Sequence, residues 1–203
     1  HFAFEGNAND STGTRNGTVV GSPSFAAGRT GQAIVLDGIA DYVHVEGAYE
    51  LPMYSASLWF RVDGGTGERD LLSVYDSAGS HGILLEVRSN ATLRFLHRAP
   101  VGGSGGTDIY STATVADGAW YHAGIVKSAQ TMTLYINGEV AGTVDSATEF
   151  GQVLQNVTIG VLKHDNLARY FPGAIDEVRL YNRALSHGEI AWLAGRTSPF
   201  DTP

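Results

Sequence analysis

The chain has no cysteine among its 203 residues. That excludes disulfide frameworks, thiolate catalysis and thiolate metal sites. It does not exclude secretion, because a core of this size needs no covalent staples. Positive charge is also scarce. Lys and Arg number 13 against 21 Asp and Glu, for a net charge of −8, which argues against a nucleic-acid partner. No apolar run reaches the ~20 residues needed to cross a bilayer, so a membrane partner is not expected. Long helix-forming runs are few. The sequence shows no leader peptide, and its start at His1 reads as that of an excised domain.

Glycine, in contrast, is abundant at 26 residues, and 43% of the chain is hydrophobic. Short strands joined by tight turns fit that balance. Period-two alternation recurs along the chain. In "SASLWFRVDG", Ala56, Leu58, Phe60 and Val62 share one face, and Ser57, Trp59 and Arg61 share the other. Asn137–Gly138 is a strong two-residue hairpin signal, since both residues tolerate positive φ. Around Asn90, placing Leu85, Val87, Leu93 and Phe95 on one core face sets Arg88 opposite Thr92 and Glu86 opposite Arg94. Arg88, Arg94 and Arg98 then share the outer surface. One helix is expected: Ser186 caps it, Glu189 completes a capping box, Ile190 and Leu193 form its apolar stripe, and Gly195 ends it. The fold expected is all-β, an antiparallel two-sheet jelly-roll β-sandwich with one short C-terminal helix, over residues 1–195. Residues 196–203 read as a linker to other modules of the same chain.

Catalytic signatures are weak. Asp176 and Glu177 are adjacent, so in a regular strand they face opposite sides rather than one substrate. No Gly-x-Ser-x-Gly elbow supports a serine nucleophile. The Gly-rich loop 101–108 lacks the Lys-Ser/Thr ending of a phosphate cradle. Tyr121, His122, Arg94 and Arg98 supply the residue types of a polysaccharide lyase without its spacing.

Several segments together resemble the laminin-G-like branch of the concanavalin A-like lectin/glucanase superfamily. They are "FEGNANDSTGTRNG", "GQAIVLDGIADYVHV", "SASLWFRV", "AWYHAGIV", "LYINGE" and "FPGAIDEVRLYNRALSHGEI". The resemblance spans residues 2–195. It implies a jelly-roll sandwich, often with one calcium ion at an edge, and it covers carbohydrate-binding modules, adhesion domains and enzyme accessories alike. Calcium takes carboxylate, amide and carbonyl oxygens. Glu5, Asp10 and Asn16 near the amino terminus, Asp37 in "LDG" and Asp176 in "IDE" are the candidate ligands of a structural ion. Asp176 draws attention because alternation puts it with Ala174, Val178 and Leu180, on an inward face where a carboxylate needs a cation or several hydrogen bonds.

Sugar binding calls for a ring face to stack on pyranose C–H groups and polar side chains for hydroxyls. Two places offer this. The first is an outer sheet face with Trp59 as platform and Arg61, Arg88, Arg94 and Arg98 around it. The second is the loop 162–171, with Lys163, His164, Asn166, Arg169 and Tyr170. The local basic set, with His81 and His97, suggests an anionic or sulfated polysaccharide held by forked Arg contacts. The expected function is a non-catalytic carbohydrate-binding module of a secreted polysaccharide-degrading protein, a monomer whose partner is a poly- or oligosaccharide. A catalytic jelly-roll lyase or glycosidase and a protein-binding adhesion module are the alternatives.

Overall fold

The computed structural model describes residues 1–196, so the expected linker lies outside the described residues except for Arg196. In chain order the strands are β1 (Thr18–Val20), β2 (Ser24–Ala27), β3 (Gln32–Asp37), β4 (Tyr42–Tyr49) and β5 (Tyr54–Val62). They continue as β6 (Arg69–Tyr75), β7 (His81–Val87), β8 (Thr92–Gly102), β9 (Thr107–Thr114) and β10 (Trp120–Lys127). The last are β11 (Thr131–Ile136), β12 (Glu139–Asp145), β13 (Leu154–Ile159) and β14 (Pro172–Tyr181), followed by helix α1 (His187–Leu193).

Two antiparallel seven-stranded sheets form, in the orders β1-β4-β13-β6-β7-β8-β9 (sheet I) and β12-β11-β10-β5-β14-β3-β2 (sheet II). This is the expected all-β sandwich. The alternation in β5 is as expected: Ala56, Leu58, Phe60 and Val62 join the core. They meet Leu72, Val74, Ile83, Leu85 and Phe95 from sheet I. Burial of each side chain in this set larger than Ala56 contributes ~1.5–3 kcal/mol.

The turn chemistry is also as expected. Asn137 and Gly138 both take positive φ at the β11–β12 hairpin. Glu86 pairs with Arg94, and the Arg88 N–H donates to the Thr92 carbonyl at 2.8 Å. At α1 the Ser186 side chain accepts from the Glu189 N–H and the reciprocal bond completes the box. Ile190 and Leu193 bury against Val126 and Tyr135, so the helix covers the outside of sheet II.

Strand β14 departs from the expected alternation. Its register shifts between Asp176 and Arg179, and Glu177 has φ 54°. Such a bulge adds one residue and re-aims its neighbours. Ile175 therefore faces the core, as do Val178 and Leu180, while Asp176 pairs with Trp59 and lies on the outer side of sheet II. Regular alternation had put Asp176 inward; the bulge reverses it. The bulge also receives the amino-terminal segment, through paired backbone bonds between Phe2 and Val178.

Candidate functional site

Strands β6, β7 and β8 alternate between core and outer face, so Leu84, Glu86, Arg94, Leu96 and Arg98 point away from the sandwich. The β13–β14 connection folds back over them. Its Leu162 N–H donates to the Ala168 carbonyl at 3.0 Å, and the Thr158 hydroxyl donates to the Val161 carbonyl at 3.0 Å. Leu162 then closes a small apolar cluster with Leu84 and Leu96. The result is a cleft of about 320 Å³ whose walls include Arg94, Arg98, Lys163, Asn166 and Arg169. Arg94 and Arg98 of the expected outer face and Lys163, Asn166 and Arg169 of the loop 162–171 thus line one cleft.

The cationic groups of this cleft are anchored from behind. Arg94 donates through Nε to Asp108 at 2.6 Å and through Nη1 to Glu86 at 3.1 Å. Arg169 donates through Nη1 to the second oxygen of Glu86 at 2.6 Å. Arg98 holds the glycine loop through Nε to Gly105 and Nη1 to Gly102. Lys163 donates to the Gly79 carbonyl at 2.7 Å. Among the described residues, the Nη2 groups of Arg94, Arg98 and Arg169 have no hydrogen-bond partner, so each fork keeps a donor for a ligand. Burial alone would lower the Arg94 pKa, but the bonds to Asp108 and Glu86 outweigh it and raise it. His81 also lines the cleft. Burial, then the Lys163 charge, push its pKa down to about 4, so it is neutral at pH 7.

The remaining expected residues are distributed elsewhere. Arg88 shares this outer face but lies 4.8 Å over the Tyr110 ring, outside the cleft wall. His164 stacks on His44 at 4.2 Å and bonds the Tyr75 hydroxyl at 2.7 Å. Tyr170 lies against Tyr42. His97 is buried between the Tyr54 hydroxyl and the Thr148 carbonyl and adds nothing to the basic surface. Trp59 and Arg61 belong to sheet II, on the opposite outside of the sandwich, so the expected groove joining them to Arg88, Arg94 and Arg98 does not form. Trp59 is only 9% exposed, with the Arg29 guanidinium 4.6 Å over its ring and His122 at its edge. Arg61 is held by Asp63 and by the Trp120 ring.

The sequence reading missed three things. Tyr110, the cross-strand neighbour of Arg94, is 46% exposed and supplies an aromatic edge beside the cleft. Its signal was present, because Ile109 on the core face leaves Tyr110 outward. Leu84, Leu96 and Leu162 form the apolar cluster at the cleft. Asp70 lies buried across from Glu86.

The five candidate calcium ligands do not converge. Asp10 takes donors from His1, Thr12, Thr14 and Arg15. Burial raises its pKa, but these bonds outweigh burial and hold it far below the usual range. Asn16 accepts the Asp10 N–H. Asp37 caps its own turn, accepting from Ala40, Ile39 and Asp41, and those bonds lower its pKa. Glu5 accepts the Gln32 N–H, and Asp176 accepts the Arg29 and Thr30 N–H groups at 2.8 and 3.0 Å. Among the described residues no three His, Cys, Asp or Glu side chains gather at a metal site. The set as a whole does not fit one ion. Asp10 and Asn16 meet in the amino-terminal loop, while Glu5 and Asp176 meet at the turn between β2 and β3, where Asp176 Oδ1 is buried without a partner.

The architecture is that of a lectin-like β-sandwich. The family model described as the concanavalin A-like lectin/glucanases superfamily matches residues 37–191, and the chain belongs to that family. Among curated proteins none matches. Domain 4 of AbnA, a GH43 extracellular arabinanase from Geobacillus stearothermophilus solved with arabinotriose, is similar at 23% identity, covering 95% of this chain and 96% of that one with a TM-score of 0.77. The Ruminococcus gnavus IT-sialidase CBM40, bound to α2,3-sialyllactose, is 19% identical over 80% of this chain and 96% of its own, with a TM-score of 0.63. The binding domain of botulinum neurotoxin DC in complex with SialylT is 15% identical over 92% of this chain, with a TM-score of 0.72; the match spans about half of that chain, 48%. At these identities the likeness is one of fold.

Proposed function

We propose that the chain is a non-catalytic carbohydrate-binding module that captures an anionic poly- or oligosaccharide in the cleft over β6–β8. The observation that carries this reading is the convergence of Arg94, Arg98, Lys163 and Arg169 on one apolar-based cleft in a protein of net charge −8. Guanidinium forks with spare donors match carboxylate or sulfate geometry. Leu162, 9% exposed and backed by the buried Leu84 and Leu96, gives the cleft a small apolar floor for sugar C–H groups, and Tyr110 stands exposed beside it. Similarly folded domains solved with arabinotriose and sialyllactose lend support to a sugar as ligand.

The module serves a secreted polysaccharide-degrading protein by raising the effective concentration of a neighbouring catalytic module at its substrate. No helix among the described residues is long and apolar enough to cross a membrane. Affinity electrophoresis against acidic and neutral polysaccharides tests the reading. Retardation by acidic polymers, falling as salt rises and without new reducing ends or unsaturated products, is expected. Product formation, or retardation by neutral polymers alone, overturns it. Retardation by no glycan at all would favour a protein-binding adhesion role.

A further inference from the structure

We propose that Asp70 and Glu86 hold a single proton between them, and that this proton decides whether the cleft accepts an anion. The second half rests on the anionic-ligand reading above. The first half stands on geometry alone. Asp70 on β6 is the direct cross-strand partner of Glu86 on β7, and the two are 0% and 1% exposed. Both Glu86 oxygens are engaged, one by Arg94 and one by Arg169. Neither oxygen of Asp70 receives a hydrogen bond. Two ionised carboxylates side by side in a buried site repel, and a buried carboxylate with no donor is costly. A proton on Asp70 removes both problems at once, because the carboxylic acid becomes a donor to Glu86. Burial and then the Glu86 charge raise the Asp70 pKa well above the ordinary carboxylate range, against a smaller opposing pull from Arg169 and Arg94.

The charges around the pair make that proton matter. Strand β8 brings Arg94 and Arg98, and the β13–β14 connection brings Lys163 and Arg169. Facing them are Glu86 from β7, Asp108 from β9 and Asp165, which lies 3.8 Å from Lys163. His81 is neutral at pH 7. With Asp70 protonated, four cations outnumber three carboxylates, and the cleft carries one excess positive charge. Loss of the shared proton cancels that excess. An ionised Asp70 would also draw Arg94 and Arg169 inward, so the donors meant for the ligand turn to the floor. Asp70 touches no ligand in this scheme. It is a positioning residue acting through Glu86.

The test compares wild type with Asp70→Asn, whose amide donates to Glu86 at every pH. Binding to polygalacturonate and to dextran sulfate is followed from pH 5.5 to 9.5, outside the range in which either polymer titrates. Wild type is expected to weaken by about tenfold as the pair loses its proton, the effect of one unit charge near a partly screened site. Asp70→Asn is expected to show no such slope. A wild-type profile that stays flat, or a variant equally pH-sensitive, overturns the gating.

A second measurement needs no ligand. A carboxyl whose pKa is raised by folding favours the folded state below its unfolded pKa, ~4, and loses that advantage as pH rises through the folded value. The melting temperature of wild type should therefore fall relative to Asp70→Asn with rising pH. A difference that is constant from pH 4 to 9 sinks the shared proton whatever the binding data show. A high-pH carboxyl titration of Asp70 by carbon-13 NMR, together with no retardation by any acidic polymer, sinks the anionic-ligand reading and the gating but leaves the shared proton standing.

Discussion

The two outer faces of the sandwich make opposite use of similar residues. Each carries arginines and aromatic rings at outward positions of central strands. On sheet II the protein covers them itself: Arg29 lies over Trp59, Arg61 over Trp120, and α1 lies across β10 and β11. On sheet I the β13–β14 connection crosses the face without sealing it, and the arginines are held from behind by Glu86, Asp108 and backbone carbonyls. Outward-facing Arg and Trp therefore do not mark a site. What sets the sheet I face apart is that its anchored guanidinium groups keep unpartnered donors beside an open cleft.

The sharpest way to break this contrast is to exchange its predicted consequences. Arg98→Ala combined with Lys163→Ala should cost at least tenfold in affinity for an acidic polysaccharide, read by affinity electrophoresis, while shifting the melting temperature little, since Arg98 bonds only backbone carbonyls and Lys163 holds the Gly79 carbonyl and a long ion pair with the exposed Asp165. Trp59→Ala should do the reverse. It should destabilise by about 3 kcal/mol in a denaturant titration, as buried large-to-small changes do, and leave affinity intact. Sugar affinity that follows Trp59 instead would move the site to sheet II.

Asp176 offers a smaller, signed test on the covered face. Burial raises its pKa to about 6, against opposing bonds from Thr30 and Arg29. Its protonated form thus favours folding, and stability is lost as pH rises from ~4 through 6, by up to about 2–3 kcal/mol. In EDTA at pH 8, Asp176→Asn is expected to raise the melting temperature. The same substitution lowering it in calcium buffer would return Asp176, with Glu5, to the role of calcium ligand.

Two still smaller effects concern α1. Ser186→Ala should cost about 1 kcal/mol by removing the cap. Trp192→Ala should stay within about 0.5 kcal/mol, because Trp192 is 68% exposed.

How much was legible depended on the range of the interaction. The hairpin register at Asn90, the Glu86–Arg94 pair and the capping box were readable because each is set by residues near in sequence. The face of Asp176 was misread because a bulge at Glu177 is not visible in a pattern of alternation. Trp59 was read as a platform because nothing local foretells that Arg29 will lie over it. The shared site of Arg94 and Arg169 was invisible for the same reason: the two are 75 positions apart and meet only through Glu86.

By itself, then, the sequence determined the two-sheet sandwich, its turns and its terminal helix, since period-two burial and turn chemistry are local and repeat often enough to be unambiguous. Only the tertiary structure decided which sheet each outward residue occupies, which rings the protein covers, and which carboxylates meet. Those outcomes depend on strand order and on where one long connection crosses the sheet, and alternation along a strand carries no information about its neighbours.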